Sequence, residues 1–207
     1  MKGLLVFGDS ITLGRGVAPC RGWAGFLKDY FEAQDIHNVL YNLGVPGDSS
    51  RDLLGRFGIE AEARVKYIRE SDKYIILIGI GVNDSRGMGS PDDFCVSLDE
   101  YFLNVKKIVG LAKSFTKDVV LVSLVPVDES LMPFENTFFS NEVIKKYNES
   151  LLSISEELGV LYCDVFNEFV NRDYSVLLFD GVHPNKDGYE FMYSVIKNFL
   201  VEHKLIN

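Results

Sequence analysis

The chain has 207 residues, 47% of them hydrophobic and 25% charged, an ordinary globular composition that excludes disordered, collagen-like and low-complexity classes. Thirty acidic residues against 21 basic ones leave a formal charge of −9, and the densest basic groups are the pairs Lys106/Lys107 and Lys145/Lys146 on predicted helices, so no nucleic-acid partner is expected. No apolar run approaches a membrane span and Gly3 to Phe7 is too short for a signal-peptide core, so the expectation is a soluble, cytoplasmic protein with one domain over residues 1–207.

The first apolar run, Gly3 to Phe7, reads as a buried strand and leads into Gly8-Asp9-Ser10-Ile11-Thr12-Leu13-Gly14. A serine there faces the crevice at the amino end of the next segment, where backbone N–H groups stabilise negative charge; Ser10 as a plain helix cap is the other reading. Trp23, Phe26, Leu27, Tyr30 and Phe31 then recur at helical spacing. The second strand, Val39 to Leu43, ends in Gly44-Val45-Pro46-Gly47-Asp48, which is either a Gly/Pro turn or a place where a bare N–H approaches a ligand. A weak helix is predicted from Ile59 to Arg69.

The third strand, Tyr74 to Ile80, is followed by Gly81-Val82-Asn83-Asp84. Asn83 either supplies an uncharged amide donor of the kind that binds an oxyanion or is a plain turn residue. A helix with the stripe Phe94, Leu98, Tyr101, Val105, Ile108 and Ala112 leads to the fourth strand, Val119 to Val125. Pro126 to Ser140 is too long for a plain connection and reads as a pocket wall or lid, or as a surface loop packed by its own aromatics. A helix bearing Val143, Tyr147, Leu151, Ile154 and Leu158, a fifth strand from Val160 to Val165, and a last helix bearing Tyr189, Met192, Tyr193, Ile196, Phe199 and Leu200 complete the chain.

The strands are continuous apolar runs, as in a parallel sheet buried on both faces. Alternating with helices, they predict an α/β fold: a three-layer α/β/α sandwich of flavodoxin-like kind on a five-stranded parallel sheet. The polar blocks then share the carboxyl edge of the sheet. Before the last helix stands Asp180-Gly181-Val182-His183-Pro184. Gly181 permits a tight turn and Pro184 keeps His183 out of helical geometry, so carboxylate and imidazole can meet. A carboxylate on one ring nitrogen frees the other to take a hydroxyl proton. His37 and His203 have no comparable setting. Cys20, Cys95 and Cys163 are odd in number and lack C-x-x-C spacing, so they read as small apolar filler in a reducing compartment, with no disulfide framework or zinc site.

Gly8-Asp9-Ser10-Ile11, Asn42-x-Gly44-x-x-Gly47, Gly81-x-Asn83-Asp84 and Asp180-x-x-His183 together resemble, in order, the four blocks of the GDSL esterases of the SGNH hydrolase superfamily. Ile11 stands where the family name has leucine. The resemblance implies the SGNH hydrolase fold and an esterase or acylhydrolase that works through an acyl-enzyme. Ser10 is the implied nucleophile, His183 its base, Asp180 the acid that orients it, and the Ser10 and Gly47 N–H groups with the Asn83 amide the oxyanion hole. It implies no cofactor and no metal.

Asp164, at the end of the fifth strand, is the fallback acid; Asp9 and Asp84 are expected to hold loops. The family acts on acyl esters, thioesters, lysophospholipids and acetylated sugars, and a short-chain or acetyl ester is the expected substrate. Trp23, Met88, Phe134 and Phe138 are candidate substrate contacts, although Trp23 also fits its helix's apolar stripe. A metal-dependent phosphohydrolase using Asp9, Asp84, Asp180 and His183 is a competing class. A flavodoxin-like binding module is another, but Gly8 to Gly14 is one residue too long for a P-loop and Arg15 replaces its Lys-Ser/Thr pair.

Overall fold

The computed structural model describes residues 1–19 and 21–207. Cys20, expected from the sequence to be apolar filler, lies outside the described residues. Strand β1 (Lys2–Gly8) runs into the single-turn helix α1 (Ser10–Leu13), followed by α2 (Gly22–Glu32), β2 (Val39–Gly44), α3 (Ser50–Arg64) and β3 (Lys73–Gly79). Next come β4 (Gly87–Met88), α4 (Leu98–Phe115), β5 (Val119–Val122), β6 (Thr137–Phe138) and α5 (Asn141–Leu158). The chain closes with β7 (Leu161–Cys163), α6 (Val165–Val170) and α7 (Lys186–Glu202).

Five strands form one parallel sheet in the order β2-β1-β3-β5-β7. Leu4 to Phe7 and Ile75 to Ile78 are buried on both sides, which is why those runs are apolar without alternation. Helices α2 and α7 pack on each other, while α3, α4 and α5 pack in succession as the other layer. Phe7 meets Phe57 of α3 with ring centroids 4.5 Å apart. Strand order reverses at β1, which has β2 on one side and β3 on the other. A crevice opens outside the carboxyl ends of β1 and β3, the position where ligands bind in open α/β sheets.

Four predicted elements need correction. The weak helix runs over Ser50–Arg64, not 59–69. Its start is set by a capping box, in which the Ser49 side chain accepts from the Asp52 N–H and the Asp52 carboxylate accepts from the Ser49 N–H. The stripe opening at Phe94 does not become helical until Leu98, after the Ser97 cap; Phe94 instead bridges Gly87. The fourth and fifth strands are shorter than their apolar runs. Past β5 the Leu124 N–H bonds to the Asn148 side chain at 2.8 Å, and Val165 already opens α6.

Candidate active site

The short helix α1 carries Ser10 directly over the sheet edge, because glycine ends the strands beneath it. A Cβ on Gly8 would lie 2.1 Å from Thr12 Oγ1, and one on Gly44 would lie 2.4 Å from the Leu13 N–H nitrogen. Asp9 caps the helix by accepting from the Ile11 N–H at 2.9 Å. Ser10 is therefore both a helix residue and a cleft residue, and the capping role belongs to its neighbour.

Across the cleft, the 180–183 turn sits before α7. Asp180 Oδ1 accepts from the backbone N–H groups of Val182 (3.0 Å) and His183 (2.8 Å). Its Oδ2 lies 2.8 Å from His183 Nδ1. The other ring nitrogen, Nε2, lies 2.9 Å from Ser10 Oγ. Serine, imidazole and carboxylate thus form one hydrogen-bonded line joining two segments 173 residues apart in the chain, with Ser10 and His183 both buried. Burial alone opposes ionisation of Asp180. The hydrogen bonds from the His183 ring and from the His183 and Val182 N–H groups outweigh it and hold the carboxyl below its ordinary range.

Gly47 and Asn83 line the same cleft as Ser10 and His183. Gly47 has φ +84°, a left-handed conformation that disfavours side chains. Among the described residues, the N–H groups of Ser10 and Gly47 have no protein acceptor. The Asn83 amide donates to the Asp48 carbonyl at 3.0 Å, which uses one of its two hydrogens and leaves one for a ligand. Three donors not reserved by the protein therefore border the Ser10 hydroxyl.

The remaining acids are engaged elsewhere. Asp84, fully buried, accepts from the Ser50 N–H and from the Ser50 hydroxyl at 2.5 Å. Desolvation pushes both Asp9 and Asp84 up to about 6, against the hydrogen bonds that favour their charged forms. Asp164 caps α6 through the Asn167 N–H at 3.0 Å and does not join His183. Among the described residues, no group of three or more His, Cys, Asp or Glu is arranged to hold a metal ion.

Of the proposed substrate contacts, only Phe134 lines this cleft, its ring centroid 6.3 Å from that of His183. Trp23 is completely buried in the core, as the stripe of α2 demands. Met88 is exposed on β4 outside the cleft lining. Phe138 lines a neighbouring concavity with Met132 and Phe94. The 126–140 stretch is a wall: β6 pairs with β4 in an antiparallel two-stranded ladder, and Phe134 and Thr137 exchange backbone hydrogen bonds around Glu135 and Asn136. Both turn residues have positive φ, as a tight two-residue hairpin requires.

Two contributions were not read from the sequence. Arg56 of α3 bonds the Asp48 carboxylate at 2.7 Å and the Gly8 and Leu43 carbonyls at 3.1 and 3.0 Å, which ties the Gly47 loop to two strand ends. Arg15 and Arg86 line the cleft beside Glu135, Thr137 and Phe139. Their adjacency to the Gly8–Gly14 and Gly81–Asp84 blocks is the one sequence signal that points to them.

The sequence profile of the GDSL-like Lipase/Acylhydrolase family matches residues 6–191. The chain belongs to that family. Among GDSL relatives, a rice GDSL esterase/lipase, WDL1 (Oryza sativa subsp. japonica), is 28% identical over 143 residues, which is 62% of this chain and 54% of the rice protein. The human isoamyl acetate-hydrolyzing esterase 1 homolog is 26% identical over 208 residues, covering 92% of this chain and 78% of its own length. The match thus spans about half the length of the rice relative and of a similar one from Arabidopsis thaliana. A lipase/acylhydrolase from Enterococcus faecalis superposes with a TM-score of 0.79 at 21% identity, over 97% of this chain and 95% of that one. A catalytic mutant of Axe2, an acetylxylan esterase from Geobacillus stearothermophilus, gives a TM-score of 0.73 at 23% identity, over 97% and 93%. The likeness to these structures fixes the SGNH hydrolase fold for this GDSL chain.

Proposed function

We propose that the protein hydrolyses small carboxylic esters with Ser10 as nucleophile, His183 as general base and Asp180 as the acid that orients it. The observation that carries this reading is the line from Ser10 Oγ to His183 Nε2, 2.9 Å, and from Nδ1 to Asp180, 2.8 Å. An ionised Asp180 accepts the Nδ1–H and fixes the tautomer that leaves Nε2 free. Nε2 takes the Ser10 proton as Oγ attacks the ester carbonyl, and returns it to the departing alkoxide. Water then attacks the acyl-enzyme by the same proton path and frees Ser10. The Ser10 and Gly47 N–H groups and the second Asn83 amide hydrogen receive the oxyanion in both steps.

A small substrate suits a cleft of about 250 Å³ walled by Phe134, Phe139, Val82 and Val182. The acetyl esters named for Axe2 and for the human relative support an acetyl or short acyl group. A panel of p-nitrophenyl esters of rising chain length, run beside acetylated sugars, tests this. Turnover should peak at about two to four acyl carbons, the length such a volume admits, and vanish in Ser10→Ala. Hydrolysis that persists undiminished in Ser10→Ala overturns the mechanism.

A further inference from the structure

The chain is acidic overall, yet the cleft wall carries two guanidinium groups, Arg15 and Arg86, against one carboxylate, Glu135. Most other arginines are engaged. Arg21, Arg51, Arg56 and Arg64 make ion pairs, and Arg172 stacks on the Phe191 ring at 3.8 Å. Among the described residues, neither Arg15 nor Arg86 has an acidic partner within 4.0 Å. Arg86 is the more telling of the two. It is half-buried, its Nε is fully buried without any hydrogen-bond partner, and the contact of its Nη2 is the Cys95 sulfur at 4.0 Å. Among the described residues, no protein oxygen therefore neutralises or hydrogen-bonds this permanent cation, an arrangement rare in folded proteins.

The backbone holds this group in place. Arg86 follows Asn83 by three residues, its carbonyl accepts from the Cys95 N–H at 3.0 Å, and the next residue begins the ladder with β6. The segment that bears Arg86 is thus held in the wall that also presents Asn83, and both residues line the cleft. Arginine's planar fork matches a two-oxygen anion.

We propose, building on the esterase reading above, that the cleft selects esters that also carry an oxyanionic group, a carboxylate or a phosphate, with Arg86 as the residue that binds it and Arg15 as a second cation beside it. The Ser10→Ala protein provides a test that does not depend on turnover. Calorimetry compares 4-acetoxybenzoate, 4-acetoxyphenyl phosphate and the neutral methyl 4-acetoxybenzoate as ligands. At least one anion should bind about tenfold more tightly than the neutral ester, and the order of the two anions tells carboxylate from phosphate. Arg86→Gln in the Ser10→Ala background should erase the preference and Arg86→Lys should keep part of it.

Raising salt from about 20 mM to about 500 mM should narrow the gap in the Ser10→Ala protein itself, a readout that needs no Arg86 variant to fold. Equal affinity for all three ligands, or a preference that survives Arg86→Gln, overturns the proposal. Failure of the wild-type protein to hydrolyse any of the three, with an intact binding preference, instead counts against the esterase reading alone.

Discussion

Two aspartates stand in glycine-containing loops beside the cleft, and the structure treats them in opposite ways. Asp180, half-buried after β7 and α6, accepts from an imidazole and two backbone N–H groups, and its carboxyl is held below its ordinary range. Asp84, fully buried after β3, accepts from the Ser50 N–H and hydroxyl and is pushed up to about 6. Hydrogen bonds dominate at the first and loss of water at the second. The difference assigns work: an acid that stays charged can steady a histidine during proton transfer, while one that is costly to charge serves to clamp α3 to the loop that carries Asn83.

Breaking the hydrogen-bonded line at either end, Ser10 or Asp180, should have the largest effect. Ser10→Ala should lower kcat for a short-chain ester by about a thousandfold or more, and Asp180→Asn by about a hundredfold or more, with melting temperatures close to wild type. A small loss in Asp180→Asn would mean that the histidine needs no charged partner. Stability against pH sharpens the Asp84 side. Its carboxyl titrates at about 6 in the folded protein against 3.8 in its ordinary state, so its contribution to stability is fully present below pH 3.8 and is lost as pH rises through about 6. Denaturant titrations should show wild type losing up to about 3 kcal/mol relative to Asp84→Asn between about pH 4 and pH 7; a constant difference would refute the assignment.

Asn83→Ala, on the loop that Asp84 clamps, should depress kcat by about a hundredfold while changing KM little, and steady-state kinetics separates the two. The smallest effect is expected at Gly47, where a methyl group meets no atom within 4 Å. Gly47→Ala should cost only the strain of a left-handed alanine, about 1–2 kcal/mol in thermal or denaturant unfolding.

How far the sequence could be read follows the same physics. The strands were legible because a parallel sheet covered on both faces demands unbroken apolar runs, and Leu4 to Phe7 and Ile75 to Ile78 supply them. The meeting of Asp180 with His183 was legible because three residues and a proline fix it locally. The weak helix expected over 59–69 lies instead at Ser50–Arg64: Ile59 and Ile68 are 76% and 79% exposed, while the signals of the helix, the Ser49–Asp52 box and the buried Leu53, Phe57 and Ala61, are interrupted in the sequence by Gly55 and Gly58. Trp23 was ambiguous because one large aromatic suits a core and a pocket alike. Arg56 was out of reach because its place depends on contacts between distant segments, with Gly8 and Leu43, whereas Arg15 and Arg86 had only their adjacency to the glycine blocks to mark them.

The ladder of Gly87–Met88 with Thr137–Phe138 has a mechanical consequence. It yokes the aromatic wall to the segment that carries Asn83 and Arg86, so a change in wall length pulls on the donors that border Ser10. The hairpin tip at Glu135 and Asn136, beyond the ladder, is the point where the wall can vary without that pull. Cleft width could be reshaped there, by directed insertion or by natural divergence, while the reacting groups keep their spacing.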